Sequence, residues 1–308
     1  MIKMNDLLKA EALMHGDRLQ IIPVQHLSDL QKELFLFAES HELNGFQKWI
    51  VNDLYNYTIP DTNFRVRSII LMALSHPFYA DAVFKKSGKE YISKCLVYAD
   101  SEQADQYLRV FLRRHGYHAE LANNLPLKRL GVHSGLSKYG RNNITYIDGM
   151  GSNFSLVAYF SDLPCKNDNW KDTAQAQITA RECEDCHICL NKCPTGAIRK
   201  DRFLIDNQRC LSAINEAPGD FPEWLSDSVH HTCYDCLRCQ ESCPMNIGHT
   251  EKMAERVVFS EQETEMLLQG SPREDFSETT RRNIFTLGLH QWYSAIPRNI
   301  KALLSILR

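Results

Sequence analysis

The sequence has no surplus of positive charge. Its 35 Lys and Arg stand against 38 Asp and Glu, for a formal net charge of −3. Gripping a phosphate backbone normally takes a marked basic excess, so the charge does not favour tRNA or another nucleic acid as partner. Long apolar runs are also missing. No stretch approaches the ~18 apolar residues of a membrane span. The opening MIKMNDLLKAEALMHGDRLQ shows no apolar leader core, small-residue cleavage site or twin arginine. The expectation is a cytoplasmic protein with no membrane partner. Nucleotide signatures are absent as well. No G-x-G-x-x-G follows the first strand and there is no G-x-x-x-x-G-K-[ST]. Gly131, Gly135 and Gly140 lack dinucleotide spacing. No Ser–His–Asp order can be read.

What is present is an ordinary globular composition, 44% hydrophobic and 24% charged, over 308 residues, a length that suggests two or three domains. Residues 1–60 read as helical. Ser28 and Gln31 have capping-box spacing, and Leu30, Leu34 and Phe37 recur at helical intervals. The apolar run Ser68–Leu74 ends before His76-Pro77 and fits a strand buried on both faces. A helix is expected from about Asp100 to His115, with Leu108, Phe111 and Leu112 on one face and Gly116 at its C-cap. His118 to Leu121 is a return strand. Strand, helix and strand together predict a βαβ unit in an α/β (α+β) N-terminal domain. Phe154, Leu156, Ala158 and Phe160 alternate as in a further strand. The expected domains are residues 1–164, a cysteine-dense segment 165–250, and a helical tail 251–308. Ser260 and Glu263 form a capping box in that tail, which Pro272 and Pro297 divide.

Eleven cysteines, with a reducing cytoplasmic setting expected, point to metal rather than disulfides. Two runs carry the pattern: Cys183-x2-Cys186-x2-Cys189-x3-Cys193-Pro194 and Cys233-x2-Cys236-x2-Cys239-x3-Cys243-Pro244. Both match the C-x2-C-x2-C-x3-C-P run of two-cluster ferredoxins, in which the fourth cysteine ligates the other cluster. Two intervening residues let a tight loop converge three thiolates on iron. By the crossing rule, one [4Fe–4S] cluster takes Cys183, Cys186, Cys189 and Cys243. The other takes Cys193, Cys236, Cys239 and one more. The local pattern makes Cys233 that ligand, with Cys210, between the runs, a buried thiol. Zinc ribbons also use C-x2-C pairs but do not end twice in Cys-Pro. Cys95 reads as core. The only Asp-x-His, Asp185-Cys-His187, lacks the glycine of a histidine-on-corrinoid signature, since Leu190 stands in its place.

Gly135-Leu-Ser-Lys-Tyr-Gly-Arg-Asn-Asn143, followed by the paired cysteine runs, resembles the epoxyqueuosine reductase and reductive dehalogenase superfamily. The likeness extends in order to Ser68–Leu74, Gly88-Lys-Glu-Tyr91, Gly151-Ser152, Cys193-Pro-Thr-Gly-Ala-Ile198, Arg209-Cys210 and Pro297–Leu303. It implies a cobalamin-dependent iron–sulfur reductase. It also implies Cys210 as a cluster ligand, because that family has no cysteine at position 233. Where the family's reductase carries a catalytic aspartate this chain has Asn123, and an amide does not deliver a proton as a carboxylic acid does.

Two functions follow. In the first, two clusters pass electrons to a base-off corrinoid between the first two domains, and the residues 133–143 lie against corrinoid or substrate. His133, Gly135, Leu136, Gly140, Arg141 and Asn142 are then cofactor-binding candidates. His76 joins them, because it sits at the strand end where open α/β sheets place their sites. Tyr139 and Tyr146 are the candidate proton donors. Under the resemblance the substrate is a small molecule or modified nucleoside, and a ferredoxin or flavodoxin supplies electrons. In the second, the chain is an electron-transfer protein serving a partner enzyme, with no catalysis of its own. The first ~165 residues favour the first, since a simple ferredoxin needs no such domain.

Overall fold

The computed structural model describes residues 4–40, 43–172 and 179–306. Two sheets organise it. The first has strand order β1 (Arg18–Pro23), β2 (Ser68–Ser75), β8 (Phe154–Ser161), β5 (Ala119–Ala122), every neighbouring pair antiparallel. β2 is central and apolar, so its alternating side chains must be covered on both faces. Ile70, Met72 and Leu74 meet Leu8 and Ala12 of α1 (Met4–Met14) and Leu108 and Leu112 of α4 (Ser101–Arg114). On the opposite face Ile69 and Leu71 meet Leu27, Leu30 and Leu34 of α2 (His26–Ser40) and Leu130 of α5 (Leu127–His133). Each fully buried side chain of this kind contributes roughly 1.5–3 kcal/mol. The result is a layer of helices on each face of a sheet.

β2, α4 and β5 supply the expected strand, helix and strand, with Asp100 capping α4 through the Gln103 N–H. The unit is split, however. β8 lies between the two parallel strands, and a hairpin of β3 (Ala80–Lys86) and β4 (Lys89–Cys95) fills the connection. The first 60 residues are not all helical. RLQIIP forms the edge strand β1, because pairing with β2 and burial of Leu19, Ile21 and Ile22 outweigh any local helical tendency. α2 begins at His26, so Ser28 lies in its first turn and donates to the Gln25 carbonyl. After α2 come α3 (Gly45–Trp49) and a turn of π-helix at Ile50–Leu54.

The second sheet has order β4, β3, β9 (Val257–Phe259), β9 running parallel to β3. Phe84 of β3 and Phe259 of β9 stack with ring centroids 5.3 Å apart. The tail α9 (Glu261–Gln269), α10 (Glu278–Thr286) and α11 (Ile296–Ile306) covers this sheet with Leu267, Ile284, Ile300 and Leu303. Ser260 and Glu263 form the capping box of α9. A short pair, β6 (Lys138–Tyr139) and β7 (Thr145–Tyr146), carries the glycine loop. The cysteine runs hold only brief helices, α6 (Ile188–Lys192), α7 (Leu211–Glu216) and α8 (Arg238–Glu241). Pro194 opens no helix, whereas Pro244 starts a single 3-10 turn. Among the described residues no helix is long and apolar enough to cross a membrane.

Candidate metal centre

Eight cysteines stand around two neighbouring cavities. The first, of about 340 Å³, is lined by Cys183, Cys186, Cys189 and Cys243. The second, of about 640 Å³, is lined by Cys193, Cys210, Cys236 and Cys239. The fourth cysteine of each run thus faces three sulfurs outside its own run. Burial pushes the Cys189 thiol up to about 11, and the nearby Cys183, Cys243 and Cys186 add to the effect. Burial likewise raises Cys236 to about 12, with Cys210 and Cys193 contributing. Sulfurs packed this closely resist carrying negative charge together unless a cationic core sits among them. Among the described residues no three His, Cys, Asp or Glu side chains converge on a single-ion site. A quartet of thiols around a cavity suits an iron–sulfur cube better than one tetrahedral zinc with ligands 2.3 Å away.

Cys233 is not in either quartet. It is fully buried, and its Sγ lies 3.0 Å from Sγ of Cys95. Cys210 takes the place beside Cys193, at the N-cap of α7, where burial raises its thiol and the Ala213 and Ser212 N–H groups oppose the rise. The loop after Cys233 turns sharply, with Asp235 and Leu237 in left-handed conformation (φ 58° and 55°). Backbone strain of this kind costs ~1–3 kcal/mol per residue and marks a loop shaped around something.

The glycine loop clamps both quartets. Arg141 donates from Nη2 to the Cys183 and Glu184 carbonyls, at 2.5 and 3.3 Å, and from Nε to the Cys186 carbonyl at 3.2 Å. Asn142 lines both cavities. Its Nδ2 donates to Tyr146 Oη (2.9 Å) and to the Cys239 carbonyl (3.3 Å). Tyr146 is buried against Cys243, and burial followed by the charge and hydrogen bond of Cys243 holds its hydroxyl protonated. At Gly140 an added Cβ would stand 2.6 Å from Asn142 Oδ1 and 2.7 Å from Tyr146 Cε2, so a side chain there would displace the wedge. Asn143, at φ 59°, donates to the Phe203 carbonyl and accepts from the Ile205 N–H.

A third cavity, open to solvent and with about 270 Å³ accessible to water, adjoins the second quartet. Its walls include Phe37, Phe46, Tyr55, Tyr139 and Phe203, with Lys128 and Arg129 among them. Ile205 lines this cavity and the second quartet's cavity alike. Lys128 is solvent-exposed at the rim of this cavity, where its Nζ donates to the Asn143 carbonyl at 3.2 Å. Crowding around the ammonium lowers its pKa, and the nearby Cys239 and Cys210 partly offset the drop. Arg129 lies 5.4 Å from the Phe37 ring centre and 6.0 Å from that of Tyr139. Glu33 holds it from behind at 3.2 Å and also reaches His133 Nε2 at 2.7 Å.

The remaining candidates from the sequence lie elsewhere. His133 stacks on Trp170, as does His26, at 4.6 and 4.5 Å between ring centres. Its Nδ1 bonds the Lys171 carbonyl. Gly135 turns the chain at φ 74° after α5, and Leu136 packs into the core. His76 is buried with Nδ1 on the Pro77 carbonyl. Asn123 is exposed, outside the lining of the aromatic cavity. Lys128, Arg129, Tyr55 and Phe203 were not anticipated. Only the Lys128-Arg129 pair, charged residues at the start of an otherwise apolar helix, left a trace in the sequence.

Residues 182–246 match the family of 4Fe-4S double cluster binding domains. A curated epoxyqueuosine reductase from Cyclobacterium marinum is 28% identical over 204 residues, covering 65% of this chain and 58% of that protein. One from Bacillus anthracis is 23% identical over 248 residues, covering 75% and 61%. The structure of epoxyqueuosine reductase from Streptococcus thermophilus superposes with a TM-score of 0.67 at 17% identity, over 99% of this chain and 82% of that one. The chain resembles the epoxyqueuosine reductases. An epoxyqueuosine reductase solved with an epoxyqueuosine-modified tRNA-Tyr stem loop has the same fold, with a TM-score of 0.64 at 19% identity over 99% and 82%. The chain spans about 60% of the length of the Cyclobacterium and Bacillus relatives. What it shares with epoxyqueuosine reductases is the overall architecture and an iron–sulfur double-cluster segment.

Proposed function

We propose that the chain is an iron–sulfur reductase in which two [4Fe–4S] clusters feed electrons toward a substrate held in the aromatic cavity. Cys183, Cys186, Cys189 and Cys243 hold one cluster; Cys193, Cys210, Cys236 and Cys239 hold the other. When bound, the clusters supply single electrons at low potential. The observation that carries the reading is the shared wall: Ile205 and Lys128 separate the second quartet from a cavity large enough for a small molecule. A ferredoxin that only passes electrons on has no use for such a cavity.

The chain's own residues have defined tasks. Arg141 and Asn142 keep both cysteine loops in register. Phe37, Tyr55, Tyr139 and Phe203 offer flat apolar faces to a ring and exclude water. Lys128 and Arg129 face an anionic group. Burial keeps the Tyr139 hydroxyl protonated, with Arg129 opposing it, so Tyr139 and Lys128 are the proton-bearing groups within reach of an occupant. A nucleoside-containing substrate meets both requirements, a base to stack and a charge to pair, and agrees with the epoxyqueuosine-modified stem loop held by the related reductase. The corrinoid-or-substrate candidates of the loop (His133, Gly135, Leu136, Gly140, Arg141 and Asn142) and the strand-end candidate His76 do not line this cavity, so no step is routed through cobalamin.

The test is anaerobic loading to about eight irons per chain, then turnover of epoxyqueuosine nucleoside or stem loop with a reduced flavodoxin. Wild type is expected to turn over, and Lys128→Met to lose turnover with iron intact. Full iron content with no turnover of either substrate would return the chain to the role of an electron carrier.

A further inference from the structure

Cys95 and Cys233 form a second sulfur site that no cluster uses. Cys95 ends β4, and Cys233 precedes the ligand Cys236 by three residues. Both side chains are fully buried, and their Sγ atoms are 3.0 Å apart. The contact is built by the backbone. Lys94 bridges to Thr232, the Cys233 N–H donates to Ser93 Oγ at 2.8 Å, and Asn299 Nδ2 of α11 donates to the Cys233 carbonyl at 2.8 Å. Tyr234, Phe84, Leu287 and Ile300 close the same core around the pair.

We propose that Cys95 and Cys233 are a redox site that closes into a reversible disulfide, stapling β4 to the loop of the second cluster. A disulfide needs the sulfurs at ~2.05 Å, so they must approach by about 1 Å, without rearrangement of the strands. The two thiols are also unlike. Either sulfur can donate in their contact, and the Ser93 hydroxyl favours the thiolate of both, but the backbone N–H groups of Cys233 and Tyr234 favour it at Cys233. Cys233 is therefore the nucleophile and Cys95 the resolving thiol. The oxidant is hydrogen peroxide, which is small enough to penetrate where a peptide disulfide cannot. The Cys233 thiolate attacks one peroxide oxygen, the O–O bond breaks, and the leaving oxygen departs as water, giving a sulfenic acid. The Cys95 sulfur then displaces the sulfenic oxygen as a second water, and the S–S bond forms. Two electrons leave the thiols and reduce one peroxide to two waters.

The proposal rests on Cys210, not Cys233, ligating the second cluster. Cluster-loaded full chain is treated with about one equivalent of hydrogen peroxide, quenched in acid with alkylating agent, digested and analysed by mass spectrometry. In wild type, peptides bearing Cys95 and Cys233 are expected to appear linked in most chains, and to separate with dithiothreitol. Cys95→Ala and Cys233→Ala each abolish the link while iron stays near about eight per chain. Both thiols remaining alkylatable after the clusters begin to bleach would overturn the staple and leave the cluster assignment standing. A fall to about four irons in Cys233→Ala, with Cys210→Ala unchanged, would overturn both.

Discussion

Replacing Arg141 by alanine is the most direct way to ask whether the glycine loop holds the first cluster. The guanidinium donates to three carbonyls of the first cysteine run, those of Cys183, Glu184 and Cys186. Hydrogen bonds from a charged donor contribute ~1.5–3 kcal/mol each. Two of the three are long, the side chain is only half-buried, and water can replace it. The whole fork is therefore set at about 2–3 kcal/mol. If that energy keeps the Cys183–Cys189 loop closed, its loss raises the open fraction about 30- to 150-fold. Iron release from anaerobic Arg141→Ala protein to a strong chelator should be biphasic. Half the iron should leave faster by that factor, and the other half at the wild-type rate. Arg141→Lys should recover only part, because one ammonium cannot span three carbonyls. A single phase at the wild-type rate in Arg141→Ala would refute the clamp.

Three further outcomes are expected. Lys128→Met removes a positive charge beside Cys239 and Cys210 and should lower the second cluster's potential by tens of millivolts without loss of iron, read by redox titration. Asn299→Ala deletes buried donors to the Asn215 and Cys233 carbonyls and should cost roughly 2–4 kcal/mol in a urea midpoint. Burial holds His76 below its ordinary 6.5, against hydrogen bonds to Pro77 and Phe154 that raise it, and burial lowers His230 in the same way. Unfolding below about pH 6.5 therefore takes up protons, and stability should fall as pH drops through that range, by at most ~1.4 kcal/mol per pH unit for each histidine. His76→Gln should flatten the slope; an unchanged slope would place its origin elsewhere.

Much of the scaffold was legible because its signals are local. Ser68–Leu74 is apolar without alternation, which only a strand covered on both faces tolerates. Asp100 and the Ser260–Glu263 pair are caps whose partners lie three residues away. The elements that escaped depend on distant partners. Arg18–Pro23 is a strand because β2 is beside it, and Val257–Phe259 because β3 is. The choice between Cys210 and Cys233 is of the same kind: spacing pointed to Cys233, but Cys95, on the other sheet, receives it. The loop 133–143 was expected against a corrinoid or substrate on the strength of the family resemblance. The contacts that residues 141 and 142 make with the cysteine loops, through backbone carbonyls and one wedged amide, could not be read from the sequence.

The parallel pairing of β9 with β3 has a consequence for how iron is acquired. A strand at residues 80–86 finds its neighbour only after the roughly 170 residues between them, 87–256, have been made. Everything between them, including every thiol of both quartets, hangs as a long bight whose mouth the tail must shut. Iron delivery to the nascent protein thus competes with a clasp that arrives after all of those sulfurs, and deleting β9 and α9 should harm metal loading although they contain none of them.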